Sequence, residues 1–371
     1  MTRKQAFITA VSGGTPDVVP VAPLIHMRYA NRLLGRYDWK AVFEVHQKLG
    51  SCHHRGPIGI SCSSKLPEGV GSEMRLIEET PDGRKTSEWV INTPKKRLVG
   101  QQVSGMIPHD PLVSKTTVYP VKDRQDWEAY LEYAQLLLEG LQPASYEMVS
   151  EAVEYMGEEG MPSCGMTGAY TALGAVRGME GLMVDLLDYP DLMGELFSIH
   201  HEILKQTVKG FIASPTEVSW LDICWATGSG LSPAMFEKWA LPDVQIAMDI
   251  VKQHPGKYMG LYTLGRIGKL MPMLADAGVS FVSTFEPNEG DLTLREAKQK
   301  YGKRMAIFGN FDCLVLAFGT VEDAKREARR CLDDAMEGGG YVMVTADEVP
   351  ADAQWDNLRA MVDTVQEYGR Y

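Results

Sequence analysis

Five short apolar runs between Val218 and Asp347 end on residues able to move a proton or hold a charge. VSWLDIC ends on Asp222 and Cys224, KYMGLYTL passes Tyr262, FVSTFEP ends on Glu286, MAIFGNFD on Asn310 and Asp312, and YVMVTADE on Asp347 and Glu348. Carboxylates at strand ends can act as general acid or base, and partial burial raises their pKa toward neutrality. The plainer alternative is that some of them cap the next helix, a position Asp and Asn favour. Asp222 and Glu286 are expected to be catalytic. Tyr262, Asn310 and Asp347 are expected to bind substrate, with Cys224 and Trp225 in the pocket wall.

The first apolar run, VVPVAPLI, delivers His26 and Arg28, with Arg32 one helical turn later. An arginine there could bind a carboxylate or phenolate, and the histidine, expected to be catalytic, could move a proton. Otherwise the arginines cap or salt-bridge the following helix. Cys52-His53-His54 invites a metal reading, but successive strand side chains face opposite ways and rarely share one ion. Surface histidines near a loop are the expectation there, and His46, His109, His200, His201 and His254 are read the same way. Adaptable methionines at Met166, Met259, Met271 and Met273 suit a pocket for a flat ligand or simply fill the core; Met166 joins the substrate-binding set.

These residues are positioned by a repeated unit, an apolar run followed by ten or more residues with helical spacing. Runs buried on both faces and alternating with helices read as a parallel sheet, whose chemistry gathers at the strands' carboxyl ends. Strands are predicted at about 19–25, 57–63, 163–167, 218–224, 258–264, 280–286, 304–310 and 341–347. Eight such strands make the fold class α/β and predict a (β/α)8 TIM barrel. Helices are predicted over 2–12 and 38–50, and after Ser232-Pro233. Pro81-Asp82-Gly83 joins two runs into an antiparallel hairpin inserted at about 73–103, after the second strand. A hairpin that short buries too little surface to stand alone, so residues 1–371 are expected to form one domain.

A net charge of -12 gives no electrostatic drive toward nucleic acid or an anionic membrane. The six cysteines are scattered without a C-x-x-C pair, which favours a reducing compartment. The apolar run after MTRK is too short for a signal peptide, and no stretch reaches the length of a membrane span. A cytoplasmic location is expected.

SGLSPAMFEKWALP, LGRIGKLMPMLADAGVSFVSTFEP, GNFDCLVLAFGTVEDAKREARRCLDDAMEGGGYVM and DNLRAMVDTVQEYGRY, in this order, resemble the uroporphyrinogen decarboxylase superfamily. It includes porphyrinogen decarboxylases and cobalamin-dependent methyltransferases. The resemblance covers most of the chain after Gly165 and implies a (β/α)8 barrel with its site at the carboxyl face. Met27-Arg28-Tyr29-Ala30-Asn31-Arg32 looks like the decarboxylases' M-R-Q-A-G-R segment. Where those enzymes carry an aspartate, this chain has Cys52-His53-His54-Arg55-Gly56. The coenzyme M methyltransferases hold zinc with His-x-Cys and a later Cys; here those places read Tyr262-Thr263-Leu264 and Asp347. FEPNEGDL and EYGRY look most like the methyl-transferring, ether-cleaving group. The resemblance therefore implies methyl transfer from a small methylated substrate, such as a methoxyaromatic, to a corrinoid on a partner protein. Zinc would need other rim ligands. Decarboxylation and a non-catalytic binding relative are the alternatives.

Overall fold

The computed structural model describes residues 1–56 and 58–371; residue 57, the first of the predicted second strand, lies outside them. Contacts group the chain into two compact units. One comprises Met1–Ile60, Tyr146–Met166 and Val208–Tyr371, the other Ser61–Ser145 and Thr167–Thr207.

In the second unit β1 (Gly71–Glu79), β2 (Lys85–Asn92), β3 (Arg97–Ser104) and β4 (Ser114–Val118) form an antiparallel sheet in chain order. The turn between β1 and β2 is closed by Thr80 N–H donating to Arg84 O at 2.9 Å, with Gly83 at φ 85°. Antiparallel pairing thus runs over 71–118, wider than the predicted 73–103. Helices of this unit are fastened through buried Asp185, which accepts from Trp127 Nε1 and Arg177 Nε, both at 2.6 Å.

The first unit is built on a six-stranded sheet of β5 (Cys164–Thr167), β6 (Val218–Asp222), β7 (Tyr258–Tyr262), β8 (Phe281–Ser283), β9 (Ala306–Phe308) and β10 (Tyr341–Val342), lying side by side in that order. Pairing is parallel from β6 through β10. Beyond β10 the backbone bonds continue: Ala22 N–H donates to Met343 O and Cys52 N–H to Val21 O, both at 2.8 Å. His53 and Gly59 then make parallel bridges to Gly160 and Gly165, which leads back to β5. Of the runs 19–25 and 57–63, predicted as full strands, the described residues pair at such single bridges, and the second of these runs starts earlier, at His53. The prolines at 20 and 23 have no N–H to extend the first ladder.

Strand side chains alternate faces, and the apolar core collects one set: Val218 and Trp220, Tyr258, Phe281, Ala306 and Phe308, Val342 and Val344. Gly260 falls in register with Phe281; a Cβ there would run into the Phe281 ring. The helix Arg3–Val11 packs Phe7, Ala10 and Val11 onto this cluster. A capping box starts it, Thr2 accepting from Gln5 N–H. Burying Phe7 completely contributes about 2–3 kcal/mol.

His46, His53 and His54 are fully buried, which overturns their reading as surface residues. The His54 ring sits 4.7 Å from that of Phe7 and 5.4 Å from that of Phe308, while His53 lies 5.3 Å from His46. The cause is the earlier start of the second run, which draws the histidine pair into the interior. His46 Nδ1 meets Ser51 Oγ at 2.8 Å, but neither ring nitrogen of His53 has a partner among the described residues. Burial lowers all three pKa values, that of His53 to about 4. No helix among the described residues is long and apolar enough to cross a membrane.

A histidine held neutral in the fold binds its proton more readily when unfolded. Its contribution is intact above pH 6.5 and erodes as pH falls toward 4, for His53 by on the order of 3 kcal/mol. Thermal melts from pH 7 to 4 should show a steep loss of stability that His53→Gln makes shallower; an unchanged slope in that variant would contradict this account.

Candidate active site

Above the apolar layer the same strands deliver polar residues. β6 ends with Trp220 and Asp222 in register with Gly260 and Tyr262 of β7. Gly165 in β5 is needed here, since a Cβ would strike the Trp220 ring. Trp220 and Tyr262 meet edge to face, their centroids 5.9 Å apart.

Into this angle comes Arg55. Its guanidinium carbon lies 3.8 Å from the centre of the Trp220 ring and 3.7 Å from that of Tyr262. Two such cation–π contacts hold a charge in place of a counter-ion. Arg55 Nη1 is buried with no hydrogen-bond partner among the described residues. Burial lowers the arginine's pKa, while Tyr262, Asp222, Glu348 and Asp347 oppose that. Guanidinium stays protonated regardless.

Around it a proton-bearing group assembles. The Tyr262 hydroxyl donates to Asp347 Oδ1, which also accepts from Glu348 N–H at 2.7 Å. Burial, then the Asp347 charge, pushes the Tyr262 pKa upward, and burial raises that of Asp347. Glu286, half-buried beyond β8, is raised to about 7 by burial and by the charges of Asp347, Glu289 and Asp312. It follows Thr284, a non-glycine residue at φ 63° whose Oγ1 donates to Thr263 O at 2.7 Å. Backbone strain of this kind persists only where its surroundings enforce it.

At the lip, His26 caps the helix Met27–Leu34, its Nδ1 accepting from Arg28 N–H at 3.2 Å. Arg28 pairs with Glu348 at 2.7 Å, and His26 Nε2 lies 3.9 Å from the same carboxylate. Asp222 Oδ1 accepts from Cys224 N–H at 2.9 Å. Burial drives the thiols of Cys224 and Cys313 up, so neither offers a thiolate near neutral pH. A cavity of about 160 Å³ is lined by Leu24, Ile25, His26, Arg55, Gly56, Trp220 and Glu348.

The structure therefore joins Asp222, Tyr262 and Asp347 electrostatically to Arg55, Glu286 to Asp347, and His26 and Arg28 to Glu348. Others stand apart. Asn310 is buried with its amide used, Nδ2 donating to Phe285 O at 3.3 Å and Oδ1 accepting from Arg330 at 3.0 Å. Met166 is buried and Trp225 is 42% exposed; like Asp222, Tyr262, Glu286 and Asp347, they are not among the described residues lining the cavity. Arg55 and Trp220 escape the sequence reading; the only signal for Arg55 is its place in the segment that departs from the decarboxylase pattern. Cys, Asp and Glu donors crowd this rim, yet among the described residues no three His, Cys, Asp or Glu side chains converge to hold a metal ion.

Residues 114–368 match the family model described as uroporphyrinogen decarboxylase (URO-D). A uroporphyrinogen decarboxylase of Neisseria meningitidis is 25% identical over 53% of this chain and 54% of its own length. One of Crocosphaera subtropica is 28% identical over 48% of each. The chain thus spans about half the length of the curated relatives it matches. Among solved structures, a methyltransferase from Methanosarcina mazei matches over 99% of both chains with a TM-score of 0.67 at 17% identity. A B12-independent methionine synthase from Shewanella sp. W3-18-1 matches over 94% of this chain and 96% of its own, with a TM-score of 0.50 at 10% identity. At such identities the likeness is one of fold.

A carboxyl group whose pKa is raised by the fold favours the folded state while protonated, and that advantage is lost as pH rises from about 4.5 through about 7. Glu286→Gln should melt higher than the parent protein at pH 8 and at the same temperature at pH 4.5. Equal melting at pH 8 would mean that Glu286 is an ordinary solvated carboxylate.

Proposed function

The chain belongs to the uroporphyrinogen decarboxylase (URO-D) family, and from that premise we propose that it transfers a methyl group from a small methylated substrate, a methoxylated aromatic, to a corrinoid on a separate protein. The observation that carries this reading is the Arg55 guanidinium, set in the angle between Trp220 and Tyr262, with no hydrogen-bond partner for its Nη1 among the described residues and beside groups that can supply protons. A cavity of about 160 Å³ suits one ring rather than a tetrapyrrole. The bridges that lead from β10 through residues 21 and 53 back to β5 support a (β/α)8 ring whose carboxyl mouth is this site, with residues 71–118 as an antiparallel excursion. The methyltransferase named among the solved structures of like fold favours the same direction.

A corrinoid on the partner protein would supply the nucleophile that accepts the methyl group. What the chain must manage is the oxygen left behind. As the C–O bond breaks, the oxygen keeps the bonding pair and takes a proton. Glu286, half protonated near pH 7, is the acid suited to give it. Tyr262 donates its hydroxyl to Asp347 and so fixes that wall of the site, and Asp222 with Asp347 offsets the cost of burying the Arg55 charge. His26 and Arg28 hold Glu348 at the lip. Asn310 braces the rim loop rather than touching substrate.

Decarboxylation of a small ring acid is the second reading, favoured by the names of the curated relatives and by the same cation. Reduced cobalamin mixed with the protein and a panel of methoxylated aromatics and methylamines separates the two. Methylcobalamin formation is expected, with a rate that falls as pH rises through about 7 and drops about 100-fold in Glu286→Gln. Carbon dioxide release without methyl transfer selects the second reading. Neither reaction would leave a binding relative without catalysis.

A further inference from the structure

We propose that the free edge of β1 binds the β1 edge of a second copy of this chain, joining two four-stranded antiparallel sheets into one of eight strands. β1 and β4 are the outer strands of their sheet, each with a strand neighbour on one side only among the described residues. Edges are ordinarily blunted by shortness, charge or a bulge, because a row of unpaired N–H and C=O groups pairs with the strand it meets. β4 has five residues and is blunt by length. β1 has nine, and all of them after Gly71 are exposed. Its bulge comes late, between Leu76 and Glu78, which leaves residues 71–76 as regular ladder. Met74 and Leu76, 50% and 56% exposed, share a face. Met74 stands opposite Trp89 of β2, so an apolar strip runs out to the edge.

The charges on the strand select a second copy as the occupant. A two-fold contact sets residue i of one copy opposite j of the other and j opposite i, so each register is centred on a residue that meets itself. Centring on Glu73 brings two carboxylates face to face, and centring on Arg75 brings two guanidiniums. Centring on Met74 sets Glu73 opposite Arg75 of the second copy and Arg75 opposite its Glu73. Met74 then meets Met74 and Ser72 meets Leu76, all before the bulge. Opposite charges across a strand pair stabilise it and like charges destabilise it. Within one chain Arg75 donates to Glu73 of its own strand, with side chains 54% and 42% exposed; pairing turns two such couples into a ring of four alternating charges. Glu88, opposite Arg75 on β2, is already taken by Arg97 at 2.6 Å. The contact closes on itself, because it uses up both β1 edges and leaves the short β4 strands outermost.

Sedimentation velocity of the full chain over about 1 to 100 μM should show the weight-average mass rising from one chain toward two, the range expected of a small interface. Glu73→Arg and Arg75→Glu each place like charges opposite one another and should each weaken association at least about 10-fold. Mixed in equal amounts, the two variants should regain it, since the mixed pair again sets positive opposite negative at both places. Both positions are exposed, and melting temperatures equal to the parent's check that the variants fold. A chain that stays monomeric up to about 100 μM overturns the proposal and leaves the edge to a different protein. A dimer that both substitutions leave untouched also overturns it, as does a loss in the single variants that mixing does not repair. The concentration series on the parent protein stands whatever the variants do, and none of these outcomes bears on the methyl-transfer reading.

Discussion

Side chains on a strand alternate faces, so an inward residue is followed two places later by another at the next level. In the parallel sheet this stacks Val218, Trp220 and Asp222 beside Tyr258, Gly260 and Tyr262. The lower level is apolar and sealed by the helix Arg3–Val11. The upper level carries the charges. A slip of one residue in β6 or β7 would turn Asp222 and Tyr262 outward and bring their neighbours inward. Phe281 and Gly260 guard against this, because only a glycine leaves room for the ring lying opposite it.

Within that frame the mouth is an acidic place around a cation. Asp222, Glu286 and the adjacent pair Asp347 and Glu348 come from three different strand ends or loops; burial, then the charges of Asp347, Glu289 and Asp312, raises the pKa of Glu286, and burial raises that of Asp347. The Arg55 guanidinium lies against the rings of Trp220 and Tyr262, and its Nη1 has no hydrogen-bond partner among the described residues. Below Arg55 the neutral imidazoles of His53 and His54 add no second positive charge to the interior.

The rim also contains residues whose polarity serves the scaffold. Asn310 is committed to Phe285 O and to Arg330, whose Nη2 also donates to Asn310 O at 3.1 Å. Glu327 accepts from Asp312 N–H at 3.1 Å. Together they tie the loop after β9 to the helix Val321–Ala335. This explains why a polar residue at a strand end is an ambiguous sign: the same chemical types bind a substrate or satisfy buried backbone.

Much of this was open to reading in the chain itself. Alternating apolar runs and helical spacing locate β5 to β10 within a few residues, because burial of a strand and amphipathicity of a helix are local periodicities. Ser232, Asp38 and Gly50 mark helix ends for equally local reasons, Ser232 and Asp38 as N-caps and Gly50 as a left-handed C-cap. That Asp222, Tyr262, Glu286 and Asp347 fall at carboxyl ends follows from the same pattern. Which polar groups meet one another did not, since Arg55 lies more than 150 residues from Trp220 and Tyr262 and a cation–π contact leaves no mark on spacing. The burial of His46, His53 and His54 was likewise decided by the register of the second run against β5, a long-range hydrogen-bonding choice. Local periodicity settles which elements form and which face is apolar; only the closing of distant strands upon one another decides which charge sits between which rings.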